Sequence, residues 1–295
     1  MSVRKLSREA FLESCDPATA SRLAVDFRSL VESSPAVDHL LVTETDEEFA
    51  GMVVSRVGPT IFLASPPLAS SPLGEEKLLT RYREPQDSAL ALLLASPDWQ
   101  PATSASRSQW NPVTEMLRYE LSLLPLETSL AQAHESNWEV VATENSEILA
   151  TLAEISGKTE DCPELEAALS WPDRLADYRA SAAPNPVQFG LLRRQGRSVG
   201  VAVWSHLPNV KKMEVKYWGI APEFRRQGWG KRLWKSILLT GKSLHAERLI
   251  FDVDSRNVAA IRIYQSCGAK AIDRFRLWKT SGECGFSTDY THERK

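Results

Sequence analysis

Residues 212–234, KMEVKYWGIAPEFRRQGWGKRLW, read as a strand stopped at Pro222, a loop holding Gly228 and Gly230, and then a helix. Trp229, Leu233, Trp234, Ile237, Leu238, Gly241 and Leu244 recur at helical spacing and mark one face of that helix. A further strand, RLIFDVDS, follows at 248–255. Strand, loop, helix and strand in this order place the chain among α/β folds.

The loop is unusual as a helix entrance. Most helices open on a Ser, Thr, Asp or Asn cap, whereas this one opens on glycines among cations. The first N–H groups of a helix have no internal acceptor, and the helix dipole adds partial positive charge there. Glycines lack a Cβ, so an anion can come close to the backbone. Arg225, Arg226, Lys231 and Arg232 raise the local potential further. The natural guest of such a cradle is a diphosphate. Two familiar phosphate motifs do not fit: Arg232 follows Gly230-Lys231 where a P-loop needs Ser or Thr, and a dinucleotide fingerprint would need a third glycine at Leu233.

The 295 residues reach the size at which a single core stops growing, ~250–300 residues, so two domains are expected. A net charge of -3 argues against bulk nucleic-acid binding. No apolar leader and no run of ~20 apolar residues appears, so a cytoplasmic protein away from membranes is expected. The cysteines (Cys15, Cys162, Cys267, Cys284) form no Cys-x-x-Cys pair, and no Cys/His cluster or His-Glu-x-x-His occurs. Reduced thiols and no metal site are therefore expected.

Periodicity predicts a helix over 2–34, strands at 39–44, 50–57 and 60–64, a short helix at 75–84, and strands at 88–96 and 113–124. A boundary falls near 125–136, dividing the chain into domains 1–130 and 137–295. The second opens on a strand at 138–144 and continues with helices at 146–157, 163–170 and 172–182. Strands follow at 187–195, 198–207 and 212–221, with a helix at 257–268 and a final strand pair over 269–280. The halves echo each other. LLVTETDEEFAGMVV (40–54) resembles GLLRRQGRSVGVAV (190–203), FLASPPL stands where GIAPEF stands, and ALALLLAS matches RLIFDVDS. This reads as an internal duplication. In the first half, SPPLASSPLGEE has Gly74 but no basic cluster, and Glu75 and Glu76 stand where an anion would sit.

The motif Arg225-x-x-Gly228-x-Gly230 at a helix start, then Asn257-x-x-Ala260-x-x-x-Tyr264 and Gly268, resembles the GNAT superfamily of acyl-CoA-dependent N-acetyltransferases. The resemblance covers roughly 188–280 well. It implies an α/β (α+β) fold of two GNAT-like domains, each a mixed, mostly antiparallel twisted sheet flanked by helices, with a splayed central strand pair. It implies acetyl-CoA as cosubstrate and a small-molecule or protein amine as acceptor. Amides of Arg226, Gln227, Gly228, Trp229, Gly230 and Lys231 would hold the pyrophosphate, with Arg225 beside them. Trp218, Gly219 and Ile220 would pair with the pantetheine arm, and Asn257 would cap its helix and contact the cofactor. Tyr264 stands where the family places its general acid, although Ile261, Tyr264 and Cys267 are also at core spacing. Glu214, Asp252 or an ordered water would serve as base, with Lys216 and His206 as weaker candidates. Trp171, Asp173 and Tyr178 are candidate acceptor contributors, each with ordinary packing or an exposed surface place as its alternative. The N-terminal half would have lost the cofactor, and would shape the acceptor site or mediate dimerisation. A module of another class, binding acyl-CoA or a protein without catalysis, carries the same cradle.

Overall fold

The structure is a computed structural model. It describes residues 4–7, 9–10, 37–44, 49–56, 61–65, 68–69, 72–83, 90–96, 98–104, 110–124, 137–159, 161–164, 170–182 and 184–280. The chain divides into two compact units, one of Met1–Arg56, Thr60–Pro112 and Trp278–Lys295, the other of Val57–Pro59 and Val113–Leu277. Among the described residues, no helix is long and apolar enough to cross a membrane.

The first unit holds β1 (Arg4–Leu6), β2 (Val37–Glu44), β3 (Phe49–Arg56), β4 (Ile61–Ala64), β5 (Leu68–Ala69), α1 (Pro72–Arg83) and β6 (Leu90–Ala95). β1, β2, β3 and β4 pair antiparallel in that order, and α1 crosses over to bring β6 parallel to β4. Beyond Ala64 the chain rejoins β3 through β5, away from β6. The core packs Leu41, Met52 and Val54 of the sheet against Leu78, Leu79 and Tyr82 of α1. One expectation fails here: Arg4–Leu6 is a strand, not part of a helix over 2–34, because it completes the edge of β2. Most of that predicted helix lies outside the described residues. Glu75 accepts a hydrogen bond from the Ala102 N–H at 2.7 Å, so an acid already takes up a backbone donor beside the start of α1.

The second unit repeats the plan. Its strands are β7 (Trp110–Ser122), β8 (Trp138–Val141), β9 (Val187–Arg194), β10 (Arg197–Leu207), β11 (Lys212–Ile220), β12 (Arg248–Asp254) and, as far as Leu277, β13 (Lys270–Thr280). Its helices are α2 (Ser146–Ser156), α3 (Trp171–Ala182), α4 (Trp229–Ser243) and α5 (Val258–Ser266). β8 to β11 pair antiparallel in order, α4 crosses over, and β12 returns parallel to β11. The topology of β1 to β6 is thus that of β8 to β12, as expected of a duplicated chain. β7 lies ahead of the expected boundary near 125–136, yet from Val113 onward it belongs to this unit. Seven of its residues, Met116 to Ser122, pair antiparallel with β12. Residues 270–280 form one strand rather than the predicted pair, since no Gly, Pro or Asn interrupts them. The helix predicted at 163–170 falls largely outside the described residues.

The predicted apolar face of α4 is buried: Leu233, Trp234, Ile237 and Leu238 pack into one core with Trp204, Leu249 and Phe251. α2 and α3 cover the other sheet face, with Ile148, Leu152, Ile155 and Leu175 on Phe189, Leu191 and Val201. Within α3, Asp177 is 3% exposed and its carboxylate has no hydrogen-bond partner among the described residues. Burial, then the charge of Asp173, pushes its pKa up to about 7 from an ordinary 3.8, against the pull of Arg174. The folded state thus holds a proton that the unfolded chain releases near pH 4, and stability falls as pH rises through the window up to about 7. Asp177→Asn removes the buried charge. It is expected to stabilise the protein by about 2 kcal/mol at pH 8 and little at pH 4. Urea denaturation at both pH values checks this; an effect that does not grow with pH contradicts it.

Candidate functional site

β11 and β12 pair at Lys212↔Arg248, Met213↔Leu249 and Glu214↔Ile250, and then diverge. The divergence has a local cause. β11 carries a bulge, with Val203 opposite Tyr217 and Trp204 opposite Val215, so Lys216 is the extra residue. A bulge sharpens the twist of its strand and turns it from its neighbour. A cavity of about 360 Å³ opens there, lined by Trp218, Gly219, Ile220, Asp252, Asn257 and Tyr264 among others. At Trp218, Gly219 and Ile220 the edge of β11 that faces β12 has no sheet partner among the described residues, so main-chain groups there can pair with an extended ligand. Gly219 lets α2 lie close, since a Cβ there would come 2.4 Å from Ile155 Cγ2.

One end of the cavity is the glycine loop. A 3-10 turn (Pro222–Phe224) leads into Arg225; Arg226 then takes φ 60 and Gly228 φ 85, both left-handed. Gly228 is the N-cap of α4 and offers no side chain to the helix amides. Those amides therefore remain as donors, with Gly228, Gly230, Arg226 and Lys231 lining the cavity. Each of the other expected cofactor residues has its own place. Arg225 also lines the cavity, but its guanidinium donates to the Ile220, Lys158 and Ile155 carbonyls at 3.0, 2.5 and 3.2 Å. It neutralises the C-terminal end of α2 and fixes the loop in place. The Gln227 side chain donates to the Glu223 carbonyl at 2.7 Å and is exposed. Trp229 is buried against Phe224, with Arg232 over its ring at 4.8 Å. Neither Gln227 nor Trp229 lines the cavity.

Tyr264 turns out to be both core and cavity wall. Its ring packs on Phe251 and Trp234 at 4.3 and 4.7 Å between centroids. Its hydroxyl accepts a hydrogen bond from Trp218 Nε1 at 2.7 Å. Burial, and then the negative charge of Asp161, pushes its ionisation far above the ordinary phenol value, so it holds its proton at neutral pH. Asn257 caps α5 by accepting from the Ala260 N–H at 3.1 Å, and it lines the cavity as well.

A second cavity, of about 590 Å³, lies across the same strands. Tyr178 and Arg174 of α3 line it, with Arg118 of β7 and Lys212 of β11. Of the expected acceptor contributors, Trp171 instead packs edge-on against Tyr217 at 4.7 Å, and neither it nor Asp173 lines this space. Glu214 opens only onto this second cavity. It is paired with Lys212 and Lys216 at 2.6 and 2.7 Å. Burial raises its pKa, but the two lysines outweigh that and hold it below the ordinary carboxylate value, which weakens it as a base. Asp252 lines both cavities and is gripped by Arg118 Nε and Nη2 at 2.8 and 2.9 Å.

Asp161 was not singled out from sequence. It also lines both cavities. The loop after α2 is tied to the end of β12 by the fully buried Asp254. The Asp254 N–H donates to Asp161 Oδ1 at 2.8 Å, and Asp254 Oδ2 accepts from the Cys162 N–H at 3.1 Å. Thr114 Oγ1 donates to Asp254 Oδ1 at 2.8 Å. Arg256 bridges Asp254 and Glu164. Cys162, Glu164 and Asp254 lie close enough to share an ion, but this guanidinium already takes up both carboxylates.

Residues 152–269 match the Acetyltransferase (GNAT) family. Among curated proteins nothing matches the chain. Many solved structures do. A tandem GNAT protein from the clavulanic acid biosynthesis pathway is 12% identical, with 95% of this chain and 99% of that one covered at a TM-score of 0.51. A functionally unknown conserved protein from Staphylococcus epidermidis is 10% identical, with 88% and 98% covered at a TM-score of 0.52. At such identities the likeness is one of fold, and it extends over both halves of the chain.

Proposed function

From the premise that residues 152–269 are a GNAT-family acyltransferase domain, we propose that the chain moves an acetyl group from acetyl-CoA to a primary amine by direct attack in a ternary complex. The observation that carries this is the uncapped start of α4, with Arg226 and Lys231 beside it, at the mouth of the cavity between β11 and β12. Free helix amides and two cations suit the pyrophosphate. The unpaired edge of Trp218, Gly219 and Ile220 suits the pantetheine amides. That path ends at Tyr264, whose retained proton suits a general acid for the departing thiolate. The second cavity gives an amine, free or on a protein, its own approach.

A non-catalytic acyl-CoA-binding module would need the cradle but not a hydroxyl at the reacting end of the cavity. Tyr264→Phe separates the two readings, because it keeps the packed ring and removes only the proton donor. With a panel of amines, thiol release from acetyl-CoA by the variant is expected to be about 10²-fold slower than wild type. Its acetyl-CoA affinity by calorimetry should be unchanged. No acetyl-CoA uptake by the wild-type chain would end the proposal. A variant as fast as wild type would remove Tyr264 as the acid.

A further inference from the structure

We infer that Asp161, rather than Glu214 or Asp252, is the general base that deprotonates the acceptor amine. This rests on the acyl-transfer reading above and assigns the one role the two expected carboxylates fill poorly. The base must touch the amine where it meets the thioester, between the acceptor approach and the cofactor path. Asp161 lines both cavities, as Asp252 does, whereas Glu214 opens onto one. Asp252 has both carboxylate oxygens in the Arg118 fork and Glu214 has both in lysine pairs. Asp161 Oδ1 is anchored by a single N–H, that of Asp254. It lines the first cavity together with Tyr264, which puts base and acid in one cleft.

The groups around Asp161 favour proton uptake. Asp254 and Asp252 face it from β12 with like charge, and the Asn257 side chain at the start of α5 pulls the other way. Tyr264 of α5, Lys216 of β11, Arg225 of the loop and Arg118 of β7 share its cavities. Burial, helped by the charge of Asp254, raises its pKa despite the bond from the Asp254 N–H and the pull of Asn257. A raised carboxyl pKa brings the base closer to neutral pH, where proton transfer is most effective. The protons balance. The ammonium gives one proton to the Asp161 carboxylate, and the nitrogen lone pair then forms the C–N bond. The C–S bond breaks with its electron pair left on sulfur, which takes the Tyr264 proton. The second nitrogen proton restores Tyr264, and Asp161 releases its own to water.

Asp161→Asn isolates basicity, because its amide oxygen can still accept from the Asp254 N–H. The variant is expected to bind acetyl-CoA as wild type does by calorimetry. Its kcat should fall at least about 100-fold, and the acid limb of its kcat/KM–pH profile should disappear. An unchanged rate, or a slower enzyme with the same acid limb, overturns the assignment. If wild type neither binds acetyl-CoA nor turns over, it is the acyl-transfer reading that fails. If Asp161→Asn does not bind acetyl-CoA, the profiles of Glu214→Gln and Asp252→Asn decide: both must keep the acid limb, and its loss in either overturns the assignment.

Discussion

Gly230→Val is expected to weaken acetyl-CoA binding by at least about 100-fold, about 2.7 kcal/mol, while the protein stays folded. A Cβ at this position would lie 3.3 Å from Ile263 Cδ1 and 3.9 Å from the Trp218 ring, at the cavity wall. The two further methyl carbons of valine would fill the space through which an anion reaches the first amides of α4. Helix stability works the other way, since valine is a slightly better helix residue than glycine, by a few tenths of a kcal/mol. A binding loss with an unchanged melting temperature therefore isolates the cradle. Gly228→Ala tests the same loop by another route. Nothing lies within 4 Å of a Cβ there, but φ is +85, which costs an L-residue about 1–2 kcal/mol. It should weaken binding and lower the melting temperature together. Calorimetry and thermal melts of both variants check this, and Gly230→Val binding acetyl-CoA like wild type would remove the helix entrance as the phosphate site.

The cradle was legible in sequence because it is local. A strand, two glycines, nearby cations and a helix face lie within residues 212–244, and main-chain geometry does the rest. Three side chains of the same loop have duties within the protein that the local pattern does not show. Arg225 looked like an anion ligand, but the last carbonyls of α2 compete for its guanidinium. Trp229 offered an amide to the cofactor, and that amide stays at the helix start while its ring turns into the core. Gln227 folds back on Glu223. What sequence could not reveal rests on long-range pairing. β7 precedes the apparent boundary, yet its register with β12 puts Arg118 against Asp252. Asp161 sits in a stretch, KTEDCPE, with no motif of its own. Its place is set by hydrogen bonds to Asp254, 93 residues away.

That long-range tie carries the second large effect. Asp254→Ala is expected to destabilise the protein by about 3 kcal/mol, in the range for breaking a buried, hydrogen-bonded charge. The carboxylate is 0% exposed and accepts from the Thr114 hydroxyl, the Cys162 N–H and the Arg256 N–H and guanidinium. Arg256 is 47% exposed, so water can solvate it once Asp254 is gone. The cost falls on the Thr114 and Cys162 donors, which stay buried. The sign with pH follows from the same contacts. Burial raises the Asp254 pKa, but Arg256 and Thr114 outweigh it and leave the folded value below the ordinary 3.8. The contribution is therefore complete above about pH 4 and is lost as pH falls through the depressed folded value. Wild type and Asp254→Ala should differ most in urea denaturation at pH 7 and converge on acidification. The variant should also lose activity, because the loop that carries Asp161 is released, whereas Asp161→Asn should lose activity with no loss of stability. Equal stability of wild type and Asp254→Ala at pH 7 would mean that this carboxylate does not hold the loop, and Asp161 would then have no fixed position from which to act.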